Sequence, residues 1–111
     1  MKTIDYNQLK KMIDAEEDFL LINVLPAQSF KEAHIPGSIN IPLEEADFEA
    51  QVEEVADDKN KKIVTYCASF DCHASRNAAE KLEKNGFTNV LAYEGGIKEW
   101  QKKSGSRQAA A

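Results

Sequence analysis

The stretch that decides the fold is Ile63-Val64-Thr65-Tyr66-Cys67-Ala68-Ser69-Phe70-Asp71-Cys72-His73-Ala74. Its first four residues are β-branched or aromatic, which predicts a strand that leads directly into Cys67. The polar residues that follow predict a short loop, and from about Ala74 the sequence predicts a helix that continues to about Asn85. A strand that passes through a short loop into a helix is a building unit of α/β folds.

Strands and helices alternate along the rest of the chain as well. Asp5 and Gln8 have the spacing of a capping box, which predicts the start of a first helix. The acidic stretch from Glu44 to about Val55 predicts a middle helix, with Phe48, Val52 and Val55 facing inward. The other predicted elements are strands over Phe19–Val24, Ile39–Ile41 and Val90–Tyr93, a short helix from Pro26 to about Ala33, a turn over His34–Ser38, and a last helix that contains Ile97 and Trp100.

This order of elements predicts an α/β fold with one domain. Its central sheet is expected to be mostly parallel and covered by helices on both faces, because each strand is followed by a helix. The length of 111 residues suits a single domain. The domain is expected to span residues 1–103, and residues 104–111, which lack apolar periodicity, are expected to form a flexible tail.

Composition excludes several classes of function. Hydrophobic residues make up 42% of the chain, which is ordinary for a globular domain. No apolar run approaches the roughly 18 residues of a membrane span, and the first residues lack the apolar core of a secretory signal. We therefore expect a cytoplasmic protein with no membrane contact. The net charge is −5 and no basic stripe is present, which argues against nucleic-acid binding and means that any anion site must be local.

The position of Cys67 predicts nucleophilic chemistry. Open α/β sheets place their ligand sites beyond the carboxyl ends of the strands, and this is where Cys67 lies. The loop N–H groups and the start of the next helix are expected to favour its thiolate, which is the nucleophilic form of cysteine. The chain has only two cysteines, too few for a secreted disulfide scaffold, so both are expected to be free thiols at rest.

Four segments in this order resemble the rhodanese domain family of sulfurtransferases. One is the strand that delivers Cys67, and together the four segments cover nearly the whole chain. The others are the early strand Phe19–Val24, the signature His34-Ile35-Pro36-Gly37-Ser38-Ile39-Asn40-Ile41-Pro42, and the closing pair Gly86–Val90 and Glu94-Gly95-Gly96-Ile97-Lys98-Glu99-Trp100.

The resemblance implies a reaction and its partners. A small sulfur donor would transfer its outer sulfur to the Cys67 thiolate, and the resulting persulfide would pass it to a thiol, to cyanide or to a protein acceptor. The family builds this site from a loop whose backbone N–H groups converge on the transferred sulfur, as in an anion-binding nest. No cofactor is implied, and we expect a monomer or a weak dimer.

The chain departs from the common form of the family in two places. Cys72 replaces an arginine that is suited to gripping thiosulfate, in a loop that is two residues longer and resembles a Cys-x-x-x-x-Cys subgroup. The early strand ends in Asn23-Val24-Leu25 rather than in an Asp-Val-Arg type sequence, so a bracing pair of charges is missing. A loop without a fixed anion clamp favours a polysulfide, a persulfide or a protein donor over thiosulfate.

Several roles remain open for the loop residues. Cys72 is interpreted as a small loop filler, a second sulfur carrier or a resolving thiol that forms a disulfide with Cys67. Arg76 is either a solvated surface charge or a substitute for the missing loop arginine. The two thiols and two imidazoles fit no compact zinc pattern, so no metal is expected. The residues predicted to form the substrate-binding loop are Ala68, Ser69, Phe70, Asp71, Cys72, His73 and Arg76.

Three other functions compete with sulfur transfer. One is a thiol redox switch that cycles a Cys67–Cys72 disulfide. Another is a phosphatase or arsenate reductase on the same scaffold, but such enzymes resemble this chain except that they place an arginine where His73 stands. The last is a non-catalytic interaction module, which the retained Cys67 disfavours.

Overall fold

Five parallel strands form one sheet with helices on both faces. The structure is a computed structural model that describes residues 2–104. The strands are β1 (Lys2–Ile4), β2 (Leu20–Asn23), β3 (Ile39–Asn40), β4 (Ile63–Tyr66) and β5 (Val90–Tyr93). The helices are α1 (Tyr6–Asp14), α2 (Ala27–Glu32), α3 (Phe48–Ala56), α4 (Ala74–Lys84) and α5 (Gly96–Ser104). The predicted α/β class and parallel sheet are confirmed; of the predicted tail, only Ser104 lies within the described residues, where it ends α5.

The order of the strands brings three carboxyl ends together. The sheet runs β1-β5-β4-β2-β3, so β4 lies in the centre, paired with β2 and β5. In register, Tyr66 at the end of β4 is paired with Asn23 of β2 and with Tyr93 of β5. The residue after Tyr66 is Cys67, which therefore enters the crevice at the carboxyl edge of the sheet.

Two apolar cores lie on opposite faces of the sheet. On one face α1 and α5 pack over the strands, with Leu9 and Trp100 buried. On the other face α3 and α4 contribute Phe48, Val52 and Leu82, and Cys67 belongs to this second core. Burial of large apolar side chains stabilises such a domain by about 1.5–3 kcal/mol for each fully buried side chain.

The predicted capping box at α1 is confirmed. The Gln8 N–H donates to Asp5 Oδ1 at 2.8 Å, and the Asp5 N–H donates to Gln8 Oε1 at 2.9 Å. These two bonds satisfy N–H groups that would otherwise lack partners at the start of the helix.

Two predictions for the elements were wrong. Helix α3 begins at Phe48 rather than Glu44, and its inner face consists of Phe48, Val52 and Ala56, while Val55 is 44% exposed. The buried residues of α3 are spaced four apart, so the side of the helix formed by every fourth residue faces the sheet. Strand β1 was not predicted from the sequence.

Candidate active site

The start of α5 fixes the first residues of the loop that follows β4. The N–H of Ile97 donates to the Cys67 carbonyl at 3.0 Å, and the N–H of Lys98 donates to the Ala68 carbonyl at 2.9 Å. Gly96 packs directly against this backbone with a φ of +67°, and a Cβ there would lie 2.5 Å from the Cys67 oxygen. The N-terminal amides of α5 therefore hold loop carbonyls and do not point at a sulfur.

A tight turn returns the chain to Cys67. The Cys72 N–H donates to the Ser69 carbonyl at 3.0 Å, and the Asp71 N–H donates to Ser69 Oγ at 3.3 Å. As a result, the Cys67 thiol reaches the Cys72 carbonyl, with 3.3 Å between Sγ and O. Both cysteines are free of disulfides. The role of Cys72 as a loop filler, a second sulfur carrier or a resolving thiol stays a prediction.

The hydrogen-bond donors around the loop divide between the two sulfurs. Ser75, in the first turn of α4, lowers the pKa of Cys67 against the effect of burial. The N–H groups of Ala68 and Ala74 lower the pKa of Cys72. Ser75 is fully buried, and its Oγ has no hydrogen-bond partner among residues 2–104. Ser75 was not predicted from the sequence, although a serine in the first turn after a cysteine loop could have indicated it.

This division places the thiolate on Cys72. Burial raises the pKa of Cys67, and the hydrogen bond with Cys72 raises it further, against the donors from Ser75. Burial also disfavours the Cys72 thiolate, but the hydrogen bond from the Cys67 thiol and those from Ala68 and Ala74 outweigh it, and the pKa of Cys72 is lowered. The expectation that the loop amides would favour the Cys67 thiolate was therefore wrong for the resting pair. Because the thiols interact, their protons come off in two steps that belong to the pair.

We expect alkylation to report this order. When the pH is raised, Cys72 should react with iodoacetamide at a lower pH than an ordinary cysteine, and Cys67 should react only at a higher pH, because the thiolate is the reactive form. Chymotryptic cleavage after Phe70 separates the two cysteines into different peptides, so mass spectrometry gives each profile separately. Faster alkylation of Cys67 than of Cys72 near neutral pH would contradict the assignment.

Four of the predicted loop residues have exposed side chains: Phe70, Asp71, His73 and Arg76. Phe70 is 63% exposed. Arg76 Nε lies 3.2 Å from Glu94 Oε2, across the gap between α4 and the end of β5. The role of Arg76 as a substitute anion clamp therefore stays a prediction, and engagement of an anion would have to compete with Glu94.

The turn after β2, where the sequence lacks the charged pair of the common form, is held by uncharged groups. Asn23 Oδ1 accepts from the Leu25 N–H at 2.9 Å, and Asn40 Nδ2 donates to the carbonyls of Asn23 and Leu25. These bonds hold the turn after β2, so neutral amides brace this edge of the sheet.

The turn after α2 is held by Tyr66, at the end of the central strand. The hydroxyl of Tyr66 accepts from the Ile35 N–H at 3.0 Å and lies 2.7 Å from Ser38 Oγ. His34 Nδ1 lies 2.7 Å from the Phe30 carbonyl oxygen, which ties this histidine to the end of α2.

A surface pocket of about 230 Å³ lies beside the loop. Phe70 forms part of its wall, and three lysines of α5 contribute cationic side chains: Lys98, Lys102 and Lys103. Within residues 2–104, no group of three His, Cys, Asp or Glu side chains is arranged to hold a metal ion. None of the described helices is long and apolar enough to cross a membrane.

The fold and the thiol pair define a class of α/β domains that present a cysteine at the carboxyl end of the central strand. Residues 5–103 match the family model described as Rhodanese-like domain, and the chain belongs to this family.

Relatives of known name and structure agree with this membership. The chain is 29% identical over 101 residues to the putative sulfur carrier protein YrkF of Bacillus subtilis. This match covers 91% of this chain and only 51% of that protein. It is 30% identical to the thiosulfate sulfurtransferase GlpE of Shewanella oneidensis, over 89% of this chain and 91% of that protein. The crystal structure of the BH2092 protein from Bacillus halodurans is 31% identical and superposes with a TM-score of 0.79, over 93% of this chain and 73% of that chain.

Proposed function

We propose that this chain is a sulfurtransferase that carries a sulfane sulfur as a persulfide on Cys67. The observation that supports the proposal is the position of Cys67 directly after β4, with the N–H of the buried Ser75 and its hydroxyl, unpartnered within the described residues, available in the first turn of α4. These donors can hold negative charge on sulfur when the persulfide forms or breaks. The names of the relatives, which include a sulfurtransferase and a putative sulfur carrier, support the same activity.

The proposed reaction has two halves. A donor with a terminal sulfane sulfur loses that sulfur to a thiolate of the site, and the rest of the donor leaves with the electron pair of the broken S–S bond. An acceptor, which is a thiol, cyanide or a protein cysteine, then attacks the outer sulfur of the persulfide and releases the enzyme thiolate. No metal or cofactor takes part, and a reducing compartment such as the cytoplasm would keep both thiols available.

The charges near the loop favour a singly charged or extended donor over thiosulfate. Asp71 lies in the loop itself, and Arg76, the one arginine within residues 2–104, is paired with Glu94. The pocket beside Phe70 is lined by three lysines of α5 and by the carboxylates of Asp71 and Glu99, of which Glu99 is paired with Lys103, so its positive charge is in slight excess only. A polysulfide or a persulfide of a small anionic thiol fits this arrangement.

A donor panel tests the proposal. The protein is mixed with thiosulfate, polysulfide or glutathione persulfide, and the gain of one sulfur atom is followed by mass spectrometry. We expect polysulfide and persulfide to load the protein at least about tenfold faster than thiosulfate, the loss expected when one charge-assisted contact to an anion is missing. Cyanide should then remove the added sulfur. Failure of every donor to add sulfur would refute the activity, whereas fastest loading by thiosulfate would refute only the donor assignment.

One observation favours a second candidate, the redox switch. The Cys67 Sγ lies 3.3 Å from the Cys72 carbonyl oxygen, so the turn brings together the two cysteines that a disulfide would join. The same donor panel separates the candidates, because a switch would give a Cys67–Cys72 disulfide without any gain of sulfur.

A further inference from the structure

The two thiols differ in how accessible they are to a donor. Cys67 has no exposed surface, and it is packed into the core between the sheet and α4. Cys72 is partly exposed and lies on the turn that begins at Ser69, which returns its carbonyl oxygen to 3.3 Å from the Cys67 Sγ. Of the two cysteines, Cys72 is therefore the more accessible to a donor from solvent.

The hydrogen bonds of the pair make Cys72 the better nucleophile at rest. The Cys67 thiol donates to the Cys72 carbonyl oxygen at 3.3 Å, so Cys67 is held as the thiol beside Cys72. The thiolate is the nucleophilic form of cysteine, so the partly exposed Cys72 is the better placed of the two to attack a donor. The lowered pKa of Cys72 agrees with this arrangement.

We propose that Cys72 attacks the sulfur donor first and then passes the sulfur to Cys67. The inference rests on the proposed sulfurtransferase function and assigns the loop cysteine a catalytic role in it. The turn that brings the Cys72 carbonyl oxygen to 3.3 Å from the Cys67 Sγ also brings the two cysteines together, and this closeness permits the second step.

Each step conserves atoms and electrons. In the first, the Cys72 thiolate forms a bond to the outer sulfur of the donor, and the donor thiolate leaves. In the second, the Cys67 sulfur attacks the outer sulfur of the Cys72 persulfide, the S–S bond to Cys72 breaks, and the proton of Cys67 moves to Cys72 or its persulfide. One S–S bond is exchanged for another at each step, so no oxidant or reductant is consumed.

The handover also explains how an acceptor reaches a buried carrier. The outer sulfur of a persulfide lies about 2 Å beyond the cysteine sulfur, which is the length of an S–S bond. A persulfide on Cys67 thus extends toward the loop opening, although the thiol itself is enclosed.

Single-turnover loading with polysulfide tests the inference. The reaction is stopped at short times with iodoacetamide, and cleavage after Phe70 separates the peptides of Cys67 and Cys72. In the unsubstituted chain the sulfur should appear on Cys72 first and on Cys67 later. The variant Cys67→Ser should load Cys72 and keep the sulfur there.

Two substitutions of Cys72 test whether it is the first nucleophile or only blocks access to Cys67. Both Cys72→Ser and Cys72→Ala should load Cys67 at least about tenfold more slowly than the unsubstituted chain, because the first nucleophile is lost. If Cys72 merely covers Cys67, Cys72→Ala opens the path and loads Cys67 as fast or faster, which overturns the inference. Thermal unfolding of the variants confirms that they are folded.

Two further outcomes are distinguishable from these. A Cys67–Cys72 disulfide with one sulfide released per chain would overturn the handover, because Cys67 would then have attacked the inner sulfur. If the unsubstituted chain gains no sulfur at either cysteine, the proposed function itself fails, and the inference fails with it.

Discussion

The variant Cys67→Ser is expected to lose at least about a hundredfold in steady-state sulfur transfer to cyanide, because it lacks the carrier nucleophile. The loss should be in turnover rather than in folding. Serine is close in size to cysteine, and its hydroxyl can still bond to the Cys72 carbonyl, as the thiol does at 3.3 Å. A thiocyanate assay gives the turnover, and a thermal melt gives the stability.

The control for this prediction is the single-turnover behaviour of the same variant. Cys67→Ser should still accept one sulfur on Cys72, which shows that its loop is intact while the handover partner is missing. Turnover equal to that of the unsubstituted chain would mean that Cys67 is not the carrier, and the proposed function would need Cys72 in that place.

The substitution Gly96→Ala should be the most destabilising change of a single small residue near the site. A Cβ at this position would lie 2.5 Å from the Cys67 oxygen and 2.6 Å from the Ser69 nitrogen, and both are backbone atoms that cannot swing aside. Forcing such an overlap costs about 1–3 kcal/mol, and the φ of +67° adds about 1–2 kcal/mol for a residue with a side chain. We expect the free energy of unfolding to fall by about 2–5 kcal/mol and the Tm by roughly 10–25 °C.

Gly37→Ala is the matched control for Gly96→Ala. Gly37 has a φ of +88°, so it carries the same kind of backbone strain, but a Cβ there would meet nothing within 4 Å. Its cost should be limited to about 1–2 kcal/mol, the penalty of the left-handed conformation alone. Equal losses in the two variants would show that the close approach of Gly96 to the loop is unimportant. Sulfur loading should fall in Gly96→Ala and remain unchanged in Gly37→Ala.

Local sequence signals were sufficient for most of the fold. The capping box of Asp5 and Gln8 fixed the start of α1, and the β-branched run before Cys67 fixed the central strand. Strand β1 was missed because its three residues carry little pattern of their own and are ordered by pairing with β5, which lies far along the chain. The inward position given to Val55 failed because helical spacing alone does not distinguish the third residue along a face from the fourth.

The site was predictable in position but not in electrostatics. A cysteine between a buried strand and a helix pointed to Cys67, and the loop spacing brought Cys72 to attention. The surroundings of the two sulfurs depend on the turn from Ser69 to Cys72 and on the α5 amides, which bond to the loop carbonyls. Neither feature is encoded in a local sequence pattern. Helix α5 is distant in sequence from the loop, so its effect on the thiols becomes visible only in the folded chain.

The neutral bracing of the site shows a similar limit. The sequence showed that Asn23 and Leu25 replace a charged pair of the common form, and it therefore predicted the loss of a bracing ion pair. That the Asn23 and Asn40 amides hold the same turn could be seen only once β2 and β3 were paired, since the bonds join residues that are 15 and 17 positions apart.

The most direct measurement is the location of sulfur in the unsubstituted chain after brief exposure to polysulfide, with the thiols trapped and the chain cleaved after Phe70. The proposed mechanism predicts that at completion one extra sulfur atom resides on the peptide that contains Cys67, and that cyanide removes it. A product in which that peptide never carries extra sulfur, whether because the sulfur stays on Cys72 or because only a disulfide forms, would contradict a persulfide carried by Cys67.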